Sequence, residues 1–172
     1  MNGVTYITCN NVGKAIIQSH ITYHRKIPID CIINLSYKES LLKSNYDNLY
    51  NFFDYQIPIY YVNSVNTKYI INTLKKKKTK LIIQAGWSEK FNNSLLNTPQ
   101  IACIGQHASP LPIGRGAATV NWAIIQGKKN WGNSFFIMNS KFDDGEIIQQ
   151  EKFFIKKTMY VNDVYDYVAI LS

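Results

Sequence analysis

The chain has 172 residues, 46% of them apolar, and a formal charge of +8 from 19 Lys and Arg against 11 Asp and Glu. That length suits one domain, 1–172, and the apolar share supports a core burying roughly two-thirds of the unfolded surface, which excludes a disordered or fibrous chain. No apolar run approaches the ~20 residues of a membrane span, and no charged segment leads into an apolar stretch as in a secretory signal.

The elements follow in chain order. Val4 to Cys9 reads as a strand, Asn10 to Gly13 as a turn and Lys14 to Tyr23 as a helix. Ile29 to Leu35 is a second strand, Ser36 to Asp47 a polar loop and Asn48 to Tyr55 a short aromatic-rich helix. Ile57 to Val62 is a third strand, and Thr67 to Lys77 a helix with Ile70, Ile71 and Leu74 on one face. Leu81 to Ala85 is a fourth strand, Phe91 to Leu96 a short helix and Ile101 to His107 a fifth strand. Ala117 to Gln126 is helical, with Val120, Ala123 and Ile124 spaced for burial. Ser134 to Met138 and Ile147 to Ile155 are strand-like runs joined by a loop that permits antiparallel pairing, and Val161 to Leu171 is a closing helix.

Apolar strands alternating with helices imply a mostly parallel α/β sheet, Rossmann-like, with helices on both faces and antiparallel strands toward the C-terminal end. The basic run Lys75 to Lys78, with Lys80, sits at a helix C-terminus, where cations complement the macrodipole. It reads as a solvated helix end rather than a nucleic-acid surface, since no basic motif interleaved with aromatics accompanies it. Cys9, Cys31 and Cys103 are odd in number, lack a C-x-x-C spacing and lie in apolar runs, as expected of free thiols in the cytoplasm. His20 and His24 stand four apart on a helix, but with no third ligand in view no metal site is expected.

Open sheets of this kind bind ligands beyond the carboxyl ends of their strands, where strand order reverses. His107 ends the fifth strand. Behind it, Pro110 and Pro112 fix their own φ and hold Ser109 and Leu111 extended, while Gly114 and Gly116 permit tight turning. The segment is a stiff bridge that presents an imidazole at the functional edge and then enters a helix, with Arg115 as a cation nearby.

The spacing His107-x-Ser109-x-Leu111-Pro112-x-x-Arg115-Gly116, then Trp122-Ala123-Ile124-x-x-Gly127, resembles the formyltransferases that use N10-formyltetrahydrofolate. A second block, Phe142-Asp143-Asp144-Gly145-Glu146-Ile147-Ile148, and a third, Leu81 to Ser88, extend the resemblance over about Thr79 to Glu151. It implies His107 and Asp143 as catalytic residues, with Asp144 the rival should the loop register differ by one. It implies folate contacts at Ala85, Gly86, Trp87, Phe142, Asp144 and Gly145, and acceptor contacts at Ser109, Arg115 and Asn121. Trp87 and Trp122 read first as packing residues, although Trp87 lies where the folate loop is expected. The family's third catalyst, an Asn two residues before the His, is Gly105 here. Asn121, a backbone amide or a water are open replacements, and Gln106 points to the opposite face by strand alternation.

The resemblance implies a small-molecule acceptor. The "His-Ala-Ser" and "Gly-Trp-Ser" blocks look closest to the nucleotide-sugar N-formyltransferases, so the expected acceptor is the amine of a nucleotide-linked amino sugar. Formylation of glycinamide ribonucleotide and a non-catalytic folate- or nucleotide-binding relative are the alternatives. The C-terminal barrel of methionyl-tRNA formyltransferases is not seen here, which sets the expectation against tRNA. A homodimer is compatible with the resemblance.

Overall fold

In the structure, a computed structural model describing residues 3–43 and 46–172, seven strands form one sheet. β1 (Val4–Thr8), β2 (Ile29–Leu35), β3 (Ile59–Val62), β4 (Leu81–Ala85) and β5 (Ala102–His107) run parallel. β6 (Asn130–Ile137) pairs antiparallel with β5, and β7 (Ile147–Phe154) antiparallel with β6. The order is β3-β2-β1-β4-β5-β6-β7. The chain therefore winds outward from β1 to β3, returns, and places β4 on the other side of β1. The carboxyl ends of β1 and β4 flank that reversal, where connections depart in opposite directions and leave a crevice.

Side chains alternate between two apolar layers, which is why the inner strands are apolar throughout. Tyr6 and Ile32 face one layer with Val12, Ile16 and Ile17 of α1 (Asn11–Tyr23), Val120 and Ala123 of α5 (Thr119–Ile125), and Val164 and Val168 of α6 (Val161–Ile170). Ile7, Ile33 and Ile82 face the other with Ile70, Ile71 and Leu74 of α3 (Lys68–Lys77) and Leu95 of α4 (Asn93–Leu96). Each fully buried side chain such as Leu74 contributes about 1.5–3 kcal/mol relative to exposure.

Several expectations shift. The helix expected from Asn48 is a 3-10 helix over Tyr50–Tyr55, β3 starts at Ile59 rather than Ile57, α4 at Asn93 rather than Phe91, and α5 at Thr119 rather than Ala117. α1 begins at Asn11, because the Asn10 side chain accepts the Gly13 amide at 3.1 Å and caps the helix. A one-turn helix, α2 (Tyr37–Ser40), capped by Ser36, interrupts the expected polar loop. β6 starts four residues before Ser134. Its polar start hides a strand in which Trp131 is buried and Gly132 lets Pro110 and the Glu151 carbonyl approach to about 3 Å of where a Cβ would stand.

His20 serves the fold. Its Nδ1 lies 2.6 Å from the Tyr6 hydroxyl and its Nε2 2.8 Å from the Ile27 carbonyl, so Nε2 donates to that carbonyl and Nδ1 accepts the phenol proton. Among the described residues no three His, Cys, Asp or Glu are grouped to hold a metal. The three thiols are free and buried. Burial pushes Cys9 and Cys31 up to about 11 and Cys103 up to about 12, so they stay protonated at neutral pH. No helix among the described residues is long and apolar enough to cross a membrane.

Candidate active site

A cleft of about 850 Å³ opens at the carboxyl ends of β1, β4 and β5. Asn10 and Val12 follow β1 into it, Gly86, Trp87 and Ser88 follow β4, and His107 closes β5. The segment Arg115 to Thr119 and Asn121 of α5 form a second side, with Val161, Asn162 and Tyr165 of α6. Phe142 and Asp143 reach in from the loop between β6 and β7.

His107 is held at one nitrogen. Its Nε2 lies 2.8 Å from the Gly114 carbonyl and 3.7 Å from Asp143 Oδ2. Both neighbours are acceptors, so the geometry assigns the proton of the neutral ring to Nε2 and leaves the lone pair on Nδ1. The side chains of His107 and Asp143 are 15% and 16% exposed, buried enough to be fixed and open enough to meet a ligand.

The stiff bridge behind His107 is tied down by its neighbours. Ser134 Oγ donates to the Ser109 carbonyl at 2.6 Å and accepts the Leu111 amide at 3.2 Å, and Gln150 Nε2 donates to the Leu111 carbonyl at 2.8 Å. Trp131 Nε1 and Thr119 Oγ1 both donate to the Ala108 carbonyl, at 2.8 and 2.9 Å. The loop between β6 and β7 is clasped to this bridge. Gly116 N donates to Asp143 Oδ2 at 2.9 Å, and Asp144 pairs with Arg115 at 2.5 Å and with Lys141 at 3.5 Å. Asp143 sits at φ +48°, a left-handed conformation that Asp tolerates better than most residues. A Cβ on Gly145 would stand 1.6 Å from the Ile137 carbonyl oxygen, so glycine is needed for the loop to close on β6.

Of the residues singled out in the sequence, His107, Asp143, Gly86, Trp87, Phe142, Arg115 and Asn121 meet at the cleft. Four stand off its wall. Ala85 is buried at the end of β4, Gly145 lies under the loop, and Asp144 is turned toward Arg115 and Lys141. Ser109 is fully buried, and its Oγ has no hydrogen-bond partner among the described residues. Trp87 is buried, whereas Trp122, read as a packing residue, is 57% exposed on the outer side of α5. Sequence reasoning missed Asn10, Gln106, Asn162 and Tyr165. The place of Asn10, one residue past the end of β1 at the reversal, was the available signal. The residues on α6 carried none.

Gly105 is not backed by free space. A Cβ there would lie 2.6 Å from Phe136 Cζ and 3.1 Å from Met138 Cγ. The Phe136 ring, 3% exposed, fills the volume a side chain at 105 would need. Gly105→Asn is therefore expected to lower stability by about 1–3 kcal/mol, the usual cost of overpacking, without raising any catalytic rate. Thermal denaturation of Gly105→Asn with and without Phe136→Ala checks this. The second substitution should recover part of the loss.

An open α/β sheet with a loop-mounted carboxylate and a strand-end imidazole on its crevice is the scaffold of a group-transfer or ligand-binding protein. The chain belongs to the formyl transferase family, whose profile matches residues 26–171. Methionyl-tRNA formyltransferase of Clostridium beijerinckii is 33% identical over 117 residues, 67% of this chain and 38% of that protein. The chain thus spans well under half the length of the curated relatives it matches. Among solved structures, phosphoribosylglycinamide formyltransferase from Bacillus halodurans superposes with a TM-score of 0.82 at 18% identity, over 99% of this chain and 89% of that one. WlaRD, a sugar 3N-formyl transferase solved in the presence of dTDP and 5-N-formyl-THF, gives 0.73 at 14% identity, over 99% and 58%. At those identities the structural likenesses establish the fold alone.

Proposed function

We propose that this chain transfers a formyl group from N10-formyltetrahydrofolate to a primary amine, and that the amine is carried by a nucleotide-linked amino sugar. The observation that carries the reading is the imidazole of His107, oriented through Nε2 with no hydrogen bond to Nδ1 among the described residues, on a cleft of about 850 Å³, the size of a small-molecule site. The folate fits the residues present. Gly86, at φ +66°, brings bare backbone to the cleft, Trp87 lines it, and the Phe142 ring is 56% exposed at its lip, a setting for a flat heterocycle.

When bound, the folate supplies the formyl carbon. The bond from that carbon to the acceptor nitrogen forms, the bond to the donor nitrogen breaks, and one proton passes from the first nitrogen to the second. His107 Nδ1 is suited to take up that proton and return it. Asp143, 3.7 Å from Nε2, favours the ring while it carries the extra charge. The Gly114 carbonyl keeps the ring from rotating away.

The acceptor assignment rests on the polar side chains of Asn10, Thr119, Asn121 and Asn162 along the cleft, which suit a hydroxyl-rich ligand. A second reading, methionyl-tRNA, is favoured by the curated relatives and by the +8 charge. The test incubates the protein with N10-formyltetrahydrofolate and, separately, a dTDP-linked amino sugar, methionyl-tRNA and glycinamide ribonucleotide, with mass detection of the added formyl group. Formylation of the amino sugar alone is the expected result. Formylation of either of the others reassigns the acceptor, and folate binding with no formylated product overturns the enzymatic reading.

A further inference from the structure

Gln106 is 7% exposed, yet it lines the cleft beside His107. Its amide is tied into a buried relay. Gln106 Nε2 donates to Asn133 Oδ1 at 2.6 Å, Asn133 Nδ2 donates to Ser172 Oγ at 2.8 Å, and Ser172 Oγ donates to the Val168 carbonyl at 2.8 Å. The last acceptor sets the direction of the whole chain. A carbonyl can only accept, so the Ser172 hydroxyl must donate to it and its oxygen receives the Asn133 N–H. Asn133 therefore turns its Oδ1 to Gln106, and Gln106 must answer with N–H. That leaves Gln106 Oε1, an obligate acceptor, with no hydrogen-bond partner among the described residues, on the side chain of a residue that lines the cleft.

The relay runs to the last turn of α6, on the sheet face covered by α1, α5 and α6. Trp87 packs into the layer on the opposite face. The two sides of the cleft thus differ: aromatic rings at Trp87 and Phe142, a fixed carbonyl oxygen at Gln106. We infer that Gln106 is a positioning residue for the acceptor, its Oε1 receiving a hydrogen bond from an O–H or N–H group of that molecule. This rests on the formyl-transfer reading. The relay orients the amide before the ligand arrives, so less side-chain freedom is lost on binding. It also discriminates, because a ligand lacking a donor there would leave a nearly buried carbonyl unpaired.

The test measures formyl transfer with the amino-sugar, methionyl-tRNA and glycinamide ribonucleotide acceptors in wild type, Gln106→Leu and Asn133→Leu, varying folate and acceptor in turn. For the acceptor that wild type uses, Gln106→Leu is expected to raise the acceptor KM at least 10-fold, with the folate KM unchanged within two-fold. Asn133→Leu keeps Gln106 and removes only the bond that orients it. It is expected to raise the acceptor KM about three-fold, and it keeps the inference testable if Gln106→Leu does not fold. A purely structural role would instead lower thermal stability and weaken both substrates together. An active wild type whose acceptor KM is untouched by either substitution overturns the inference alone. A wild type silent with all three acceptors overturns the formyl-transfer reading and the inference with it.

Discussion

His107→Asn is expected to reduce formyl transfer by about 10²–10⁴-fold, the range for losing a positioned general acid–base group, while the thermal midpoint moves by no more than a few degrees. The reason lies in what Asn keeps. It keeps a polar, uncharged side chain at the end of β5, and although that shorter side chain no longer reaches the Gly114 carbonyl, the bridge stays anchored through Ser134, Gln150, Trp131 and Thr119. What disappears is the imidazole, whose Nδ1 lone pair can take up a proton while Nε2 is held by the Gly114 carbonyl. Steady-state turnover paired with thermal denaturation separates the two effects. A comparable loss of stability, or turnover within ten-fold of wild type, would remove His107 from proton transfer.

Asp143→Asn is expected to lower turnover by at least ~10² for a different reason. Asn is the residue best able to replace Asp at φ +48°, and its Oδ1 can still accept the Gly116 amide that now reaches Asp143 Oδ2 at 2.9 Å. Backbone and loop contact therefore survive, and only the negative charge 3.7 Å from His107 Nε2 is lost. Asp144→Asn is the matched control. That carboxylate faces Arg115 and Lys141, so its neutralisation loosens the clasp between the two loops and should cost less than ten-fold in rate. The reverse ranking would mean that Asp144, the rival one residue on, carries the function.

The strands and the position of His107 were legible because parallel strands buried on both faces leave an apolar run bounded by turn residues. β4 matches its expected limits, and β2 does as well. What escaped reading depended on contacts distant in sequence. The early start of β6 was hidden because Asn130, Gly132 and Asn133 look like loop residues until Pro110 and Gln106 are seen to pack on them. Strand alternation does send Gln106 away from the His107 face. At the end of a strand, however, both faces border the crevice, and so Gln106 lines it too. The glycine at 105 signalled a missing side chain. Only the structure reveals that Phe136, from a strand 31 residues later, occupies its place.

The central claim is that the crevice at the ends of β1, β4 and β5 holds a formyl-bearing folate against His107. A crystal structure with 5-formyltetrahydrofolate, a donor analogue that does not react, tests it most directly. The account predicts the pterin between the Gly86–Ser88 segment and Phe142, with the formyl-bearing end beside the His107 ring. A folate bound on another surface, or none bound at saturating concentration, would contradict it.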